Sequence, residues 1–146
     1  MNGAVIDASV ALKWALDDED AVEQAIVLRD RYLADPLDFP LLAPTLWVYE
    51  IVNGLWVAVR RQRLPQEELR STLDDLLSIG VELITPEPHR IAELAFSYDL
   101  AAYDAAYLAV AEETGMPLWV GDRTFFAKVL GRYEKIRWIG DLAPEG

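Results

Sequence analysis

Cysteine is absent from this chain, and histidine occurs once, at His89. The first absence excludes disulfides and thiolate metal centres; the second excludes a His-rich zinc site. Oxygen ligation of a hard cation stays open. Basic charge is also scarce. The chain has 13 Lys and Arg against 25 Asp and Glu, a formal net charge of −12. Such a surface opposes general affinity for nucleic acid, which comes from basic groups neutralising phosphates. It does not exclude a nuclease whose bound ions supply positive charge locally. Long apolar runs are missing too. The longest candidate, residues 46–59, is too short to span a bilayer and is interrupted by Glu50, Asn53 and Gly54. Residues 1–7 lack the basic start and apolar stretch of a signal peptide, so the cytoplasm is the expected compartment and no membrane partner is expected.

The residues that are present describe a folded α/β chain. With 146 residues, 53% of them hydrophobic, disorder is excluded and one core is expected, in a single domain over residues 1–146. Short apolar stretches at 4–6, 41–43, 81–84, 118–120 and 135–139 read as strands. Helical rhythm covers 8–16, 21–34, 46–61, 66–79, 86–98, 101–114 and 124–130. The acidic run Asp17, Asp18, Glu19 and Asp20 reads as a solvated helix start. Strands alternating with helices predict a mainly parallel central sheet flanked by helices. The helix over 46–61 is apolar on more than one face, which implies core burial or a partner surface.

Four carboxylates sit where carboxylates are costly. Asp7 follows Val5 and Ile6; Glu50 lies inside Leu46 to Val52; Asp104 lies among Ala101, Ala102, Ala105 and Ala106; and Asp122 follows Leu118 to Gly121. An ionised acid removed from water must be paired, shift its pKa or bind a metal. On a helix, the neighbours of Asp104 are Leu100, Ala101, Tyr107 and Leu108, and none is a cation. Asp7 and Asp122 both follow expected strands. In open parallel sheets, sites form beyond the carboxyl ends of strands. Each acid also has a plainer explanation. Asp7 and Asp122 suit helix N-caps, Glu50 suits an exposed strip with Asn53 and Gly54, and Asp104 suits an ion pair with Arg123.

The order of these segments resembles the PIN-domain nucleases, and among them the VapC-like toxin nucleases of toxin–antitoxin pairs. The resemblance covers nearly the whole chain. Val5-Ile6-Asp7-Ala8-Ser9-Val10 is similar to the family's opening strand, first acid and hydroxyl. Ala43 to Glu50 is similar to the segment with its second acid. Tyr103-Asp104-Ala105-Ala106-Tyr107-Leu108-Ala109, the most specific piece, carries the third. Leu118-Trp119-Val120-Gly121-Asp122-Arg123 carries the fourth. The chain departs from many relatives at Val120, where they have Thr or Ser.

The resemblance implies a metal-dependent endoribonuclease that hydrolyses RNA phosphodiesters with Mg²⁺ or Mn²⁺. Asp7 and Asp104 would be the main ligands, Glu50 and Asp122 would complete the site, and Ser9 would hydrogen-bond a carboxylate or water. It also implies a homodimer and a small antitoxin partner. Two other classes are weighed against it. A phosphatase would need a second Asp where Ser9 stands, and the paired acids and late lysine of a phospho-acceptor domain are not evident. A catalytically weakened binding module draws support from Val120 and is opposed by the four retained acids.

Overall fold

The computed structural model describes residues 2–143, so the ends of the expected 1–146 domain lie outside the described residues. Five strands form one sheet: β1 (Ala4–Ile6), β2 (Leu41–Pro44), β3 (Glu82–Ile84), β4 (Leu118–Val120) and β5 (Ile136–Trp138). All four neighbouring pairs are parallel, and the order is β3-β2-β1-β4-β5. The chain starts in the middle, builds outward through β2 and β3, and returns to the other side of β1 with β4 and β5. The order therefore reverses between β1 and β4. That is the place where an open parallel sheet forms a crevice at its carboxyl edge.

The strands are short because each needs only a few apolar residues to cross the core. Ala4, Val5, Ile6 and Leu41 are fully buried, and so are Leu118 and Val120 on β4. Buried on both faces, such strands read as continuous apolar runs. Edge strand β3 differs, with Glu82 and Leu83 exposed.

The helices are α1 (Ala8–Leu12), α2 (Val22–Ala34), α3 (Trp47–Arg60), α4 (Leu69–Leu77), α5 (Pro88–Tyr98), α6 (Ala102–Thr114) and α7 (Arg123–Val129). Helix α6 packs against β1, β2 and β4, with its residues Ala105 to Ala111 all buried. Its alanines let the backbone lie close to the sheet. Helix α3 buries Trp47, Ile51, Leu55 and Ala58 and leaves Tyr49, Val52 and Trp56 exposed, so its two apolar faces have different fates.

Three expectations need correction. The helix expected over 8–16 stops at Leu12 and continues as turns. The helix expected over 66–79 opens as a 3-10 turn at Gln66–Glu68 and ends at Leu77. The run 17–20 leads into α2 with Asp17, Asp18 and Asp20 exposed, as expected, but it is a turn held by ion pairs rather than the first helical turn. Buried Lys13 donates from Nζ to the Asp20 carboxylate at 2.9 Å and to its carbonyl at 2.8 Å. Arg63 bridges Asp18 and Glu19, each at 2.8 Å. Two cations thus fold the acids into a turn that precedes α2.

Gly54 sets the distance between α1 and α3. A Cβ there would lie 2.4 Å from Leu12 Cδ1. Gly54→Val is therefore expected to cost about 2 kcal/mol through overpacking. In Gly54→Ala, the better helix propensity of alanine, worth about 1 kcal/mol, offsets part of the clash. Urea unfolding measures both, and a valine variant as stable as the parent would show that this contact is loose.

Candidate active site

Asp7 leaves the sheet where the order reverses. Its backbone N–H still reaches Trp119 O on β4 at 3.2 Å, and its side chain then turns to cap α1. The capping explanation is thus correct as far as it goes: Val10 N–H donates to Asp7 Oδ1 at 3.3 Å. The Ser9 hydroxyl donates to the same oxygen. In turn, Ser9 Oγ accepts from Gly121 N–H at 2.9 Å. Ser9 therefore ties the end of β1 to the end of β4. A glycine is needed at 121, because a Cβ there would stand 2.9 Å from Ser9 Oγ and 3.1 Å from Lys13 Cε. Val120 is wholly inside the core, so the hydroxyl at this strand end comes from Ser9.

The other acids arrive from helices. Glu50 lies in the first turn of α3 and Asp104 in the first turn of α6, both half-buried. Tyr107, one turn beyond Asp104, donates its hydroxyl to Glu50 Oε1 at 2.6 Å. Asp122 caps α7, accepting from Thr124 N–H at 2.9 Å and Phe125 N–H at 3.2 Å, and is exposed.

Burial and mutual repulsion act on these groups together. Asp7 is only 6% exposed, and its carboxyl is raised from the ordinary 3.8 to about 7. Loss of water is the main cause, opposed by the Ser9 and Val10 bonds and reinforced by the charges of Glu50 and Asp104. Glu50 is raised by burial and by Asp104, against the Tyr107 bond. Asp104 is raised by burial and by Asp122, with a smaller opposing effect from Lys128. The Tyr107 phenol is pushed up by burial and by Glu50. All four acids therefore fall within one electrostatic neighbourhood. They do not form a ready-made cage: among the described residues, no group of three or more acidic or histidine side chains is set to hold a metal ion as it lies.

The cations nearby are engaged elsewhere. Arg123 does not pair with Asp104; its guanidinium stacks on the Trp138 ring, 4.3 Å from the centroid. Lys128 donates to Asp99 O at 2.7 Å. Among the described residues, none of the four acids makes an ion pair. Each acid also keeps an oxygen in reserve. The bonds to Asp7 fall on Oδ1, that to Glu50 on Oε1 and those to Asp122 on Oδ1, while Asp104 accepts none among the described residues.

Reasoning from sequence missed two residues. Tyr107 sits three residues after Asp104 on a helix buried all round, and a buried phenol needs a partner, so its spacing was a usable signal. Buried Lys13 left no signal, because its partners lie beyond the helix that carries it.

The sequence pattern of the PIN domain matches residues 4–129, a span that contains all four acids. This chain belongs to the PIN-domain family. Ribonuclease VapC3 of Pyrobaculum aerophilum is 32% identical over 131 residues, covering 85% of this chain and 92% of that protein. Exonuclease VapC9 of the same organism is 34% identical over 100 residues, covering 68% and 75%. The crystal structure of PAE2754 from Pyrobaculum aerophilum superposes with a TM-score of 0.69 at 24% identity, covering 94% of this chain and 91% of that chain, and bears on the fold alone.

The electrostatics of Asp7 set a pH dependence. In the ion-free protein, the folded state holds a proton on Asp7 that the unfolded chain releases at lower pH. This contribution to stability is whole below about 3.8 and is lost as pH rises toward about 7. Asn at this position keeps an oxygen for Ser9 and Val10 and carries no charge. Asp7→Asn is expected to raise Tm at pH 8 in chelator by roughly 5 °C, with little change at pH 4. Equal melting of both proteins at pH 8 would show that Asp7 is not strained by its charge.

Proposed function

We propose that this PIN domain is a divalent-metal-dependent endoribonuclease, with Asp7, Glu50, Asp104 and Asp122 as its acidic residues and Ser9 as their support. One observation carries the reading. A buried carboxylate at the reversal point of a parallel sheet has two further acids pressing on it and, among the described residues, no ion-pair partner. Such a group calls for a positive partner from outside the chain.

The donor chemistry fits Mg²⁺ or Mn²⁺. Every candidate ligand is a carboxylate oxygen, the donor that hard cations take. The unshared oxygens of Asp7, Glu50 and Asp122, with both oxygens of Asp104, would hold the ion directly or through waters. When bound, a divalent ion supplies an activated water and offsets charge on the phosphate and leaving oxygen. The chain's own residues keep the acids ready. The Ser9 hydroxyl and Val10 N–H fix the Asp7 carboxylate, and the Tyr107 hydroxyl fixes Glu50. Helix α7 fixes Asp122 through two backbone N–H groups. Each contact leaves the charge available and removes rotamer freedom, which is how a site is kept in one geometry before substrate arrives.

The relatives' names favour RNA as the substrate and differ on mode, one being called a ribonuclease and the other an exonuclease. The VapC name also favours a toxin held in check by an antitoxin. A homodimer would draw on Trp56, exposed two turns beyond Tyr49 toward the end of α3 and outside the acid-bearing first turn. No described helix is long and apolar enough to cross a membrane, and the cytoplasm is the proposed compartment.

Cleavage of a circular single-stranded RNA tests the reading, because a circle has no end for an exonuclease. The protein is expected to linearise it with Mg²⁺ or Mn²⁺ and to stop in chelator. Asp7→Asn and Asp104→Asn are each expected to reduce the rate at least about 100-fold while melting cooperatively, a loss on the scale of removing a key electrostatic group. The same ions should raise the parent's Tm and leave that of Asp104→Asn nearly unchanged. Full activity of both variants would remove these acids from the reaction.

A further inference from the structure

The acid cluster does not account for the surface beside it. A cleft of about 450 Å³ opens between the start of α3 and the start of α6, lined by Leu46, Tyr49, Glu50, Asn53 and Tyr103. Its size falls in the range of small-molecule sites, about 300–1,000 Å³. Two large aromatics at its rim face solvent, Tyr49 at 79% exposure and Tyr103 at 67%. Each immediately precedes an acid of the cluster, Glu50 or Asp104. Successive side chains on a helix diverge by about 100°. Each helix therefore sends its acid toward the sheet edge and its tyrosine outward beside it.

We infer that this cleft is a nucleobase subsite, in which Tyr49 and Tyr103 stack unpaired bases of single-stranded RNA next to the phosphate to be cut. The inference rests on the ribonuclease reading and adds to it a source of affinity. With a net charge of −12, the chain has little basic surface to attract phosphates. Three cations at this end of the molecule have partners of their own, Lys13 with Asp20, Lys128 with Asp99 and Arg123 with the Trp138 ring. Stacking needs no charge, since every base presents a π face to an aromatic side chain. Neither tyrosine ring is required by the core, as both are mostly in water. Asn53 is exposed in the same cleft and offers a donor and an acceptor to a base edge. Glu50 belongs to both the cleft and the cluster, so a base held by the tyrosines lies beside the reacting phosphate. A duplex buries its base faces in the stack and would gain nothing from this surface.

The test is steady-state cleavage of a short oligoadenylate, with binding of the same strand followed by fluorescence anisotropy in chelator, where cleavage does not run. Tyr49→Ala and Tyr103→Ala are each expected to raise KM and weaken binding by roughly 5- to 100-fold, the range for loss of one stacked base. The value of kcat should stay within about twofold of the parent, since neither ring touches the acids' working oxygens. Tyr103→Trp should restore binding. A strand with abasic residues flanking the cut should bind the parent and the alanine variants alike. Parent-like KM in both alanine variants, or an equal loss on the abasic strand, overturns the subsite while leaving the nuclease reading intact. A parent protein that cleaves no RNA overturns both. Should the alanine variants change only sedimentation or association with a protein partner, the cleft is a protein-docking surface and the inference fails.

Discussion

Everything at the carboxyl edge of this sheet follows from one constraint, an acid placed where water is scarce and without an ion-pair partner among the described residues. Asp7 ends β1, the strand from which the sheet grows in both directions, so its position is set by the most buried part of the fold. Hydrogen bonds from Ser9 and Val10 lessen the cost of its charge without cancelling it. Glu50 and Asp104 add to that cost. A fold selected for stability alone would place a neutral residue here, since an uncompensated buried charge is among the most destabilising features a core can carry. Its presence, with three more acids nearby, is what the proposed metal site accounts for.

Much of the fold was legible in the chain because its signals are local. Three- and four-residue apolar runs between helical stretches announce a parallel sheet, and all five strands lie where the apolar runs stand. Helix ends were less legible. Ser78 closes α4 with ordinary helical backbone, and no distinctive cap residue announces its end after Leu77. The ion-paired turn at 17–20 was hidden for a different reason. Four consecutive acids look like a solvated helix start when their partners are out of view, and those partners, Lys13 and Arg63, flank the run at a distance in sequence. Ion pairs between separate elements leave no periodic trace.

The acids of the site were legible for the opposite reason. A carboxylate inside an apolar run is conspicuous without any knowledge of its neighbours, and Asp7, Glu50, Asp104 and Asp122 each stand out that way. What the chain alone could not decide was whether the plainer explanations compete with the functional one. Two of the plainer explanations hold in the structure and one does not, since Arg123 stacks on Trp138 and leaves Asp104 without that ion pair. Asp7 and Asp122 do cap helices, and each spends one oxygen on that task and retains the other. Capping and site-building are compatible because a carboxylate has two oxygens and four lone-pair directions.

The same economy of position extends along α3 and α6. Both helices begin near the reversal point, and both place Tyr and an acid side by side in the first turn. The acid answers to the interior and the tyrosine to the solvent. In an acidic protein, this pairing resolves a contradiction. Under the proposed reading, charges that would gather a divalent ion would also repel the polyanion to be cut, and the repulsion grows with every added carboxylate. Adding basic residues at the rim would ease that repulsion but would also pair with the acids and occupy the oxygens the ion needs. An uncharged aromatic rim avoids both problems. As a base-stacking subsite it would attract the substrate through its bases, leave the carboxylates unpaired, and serve only strands whose bases are already free.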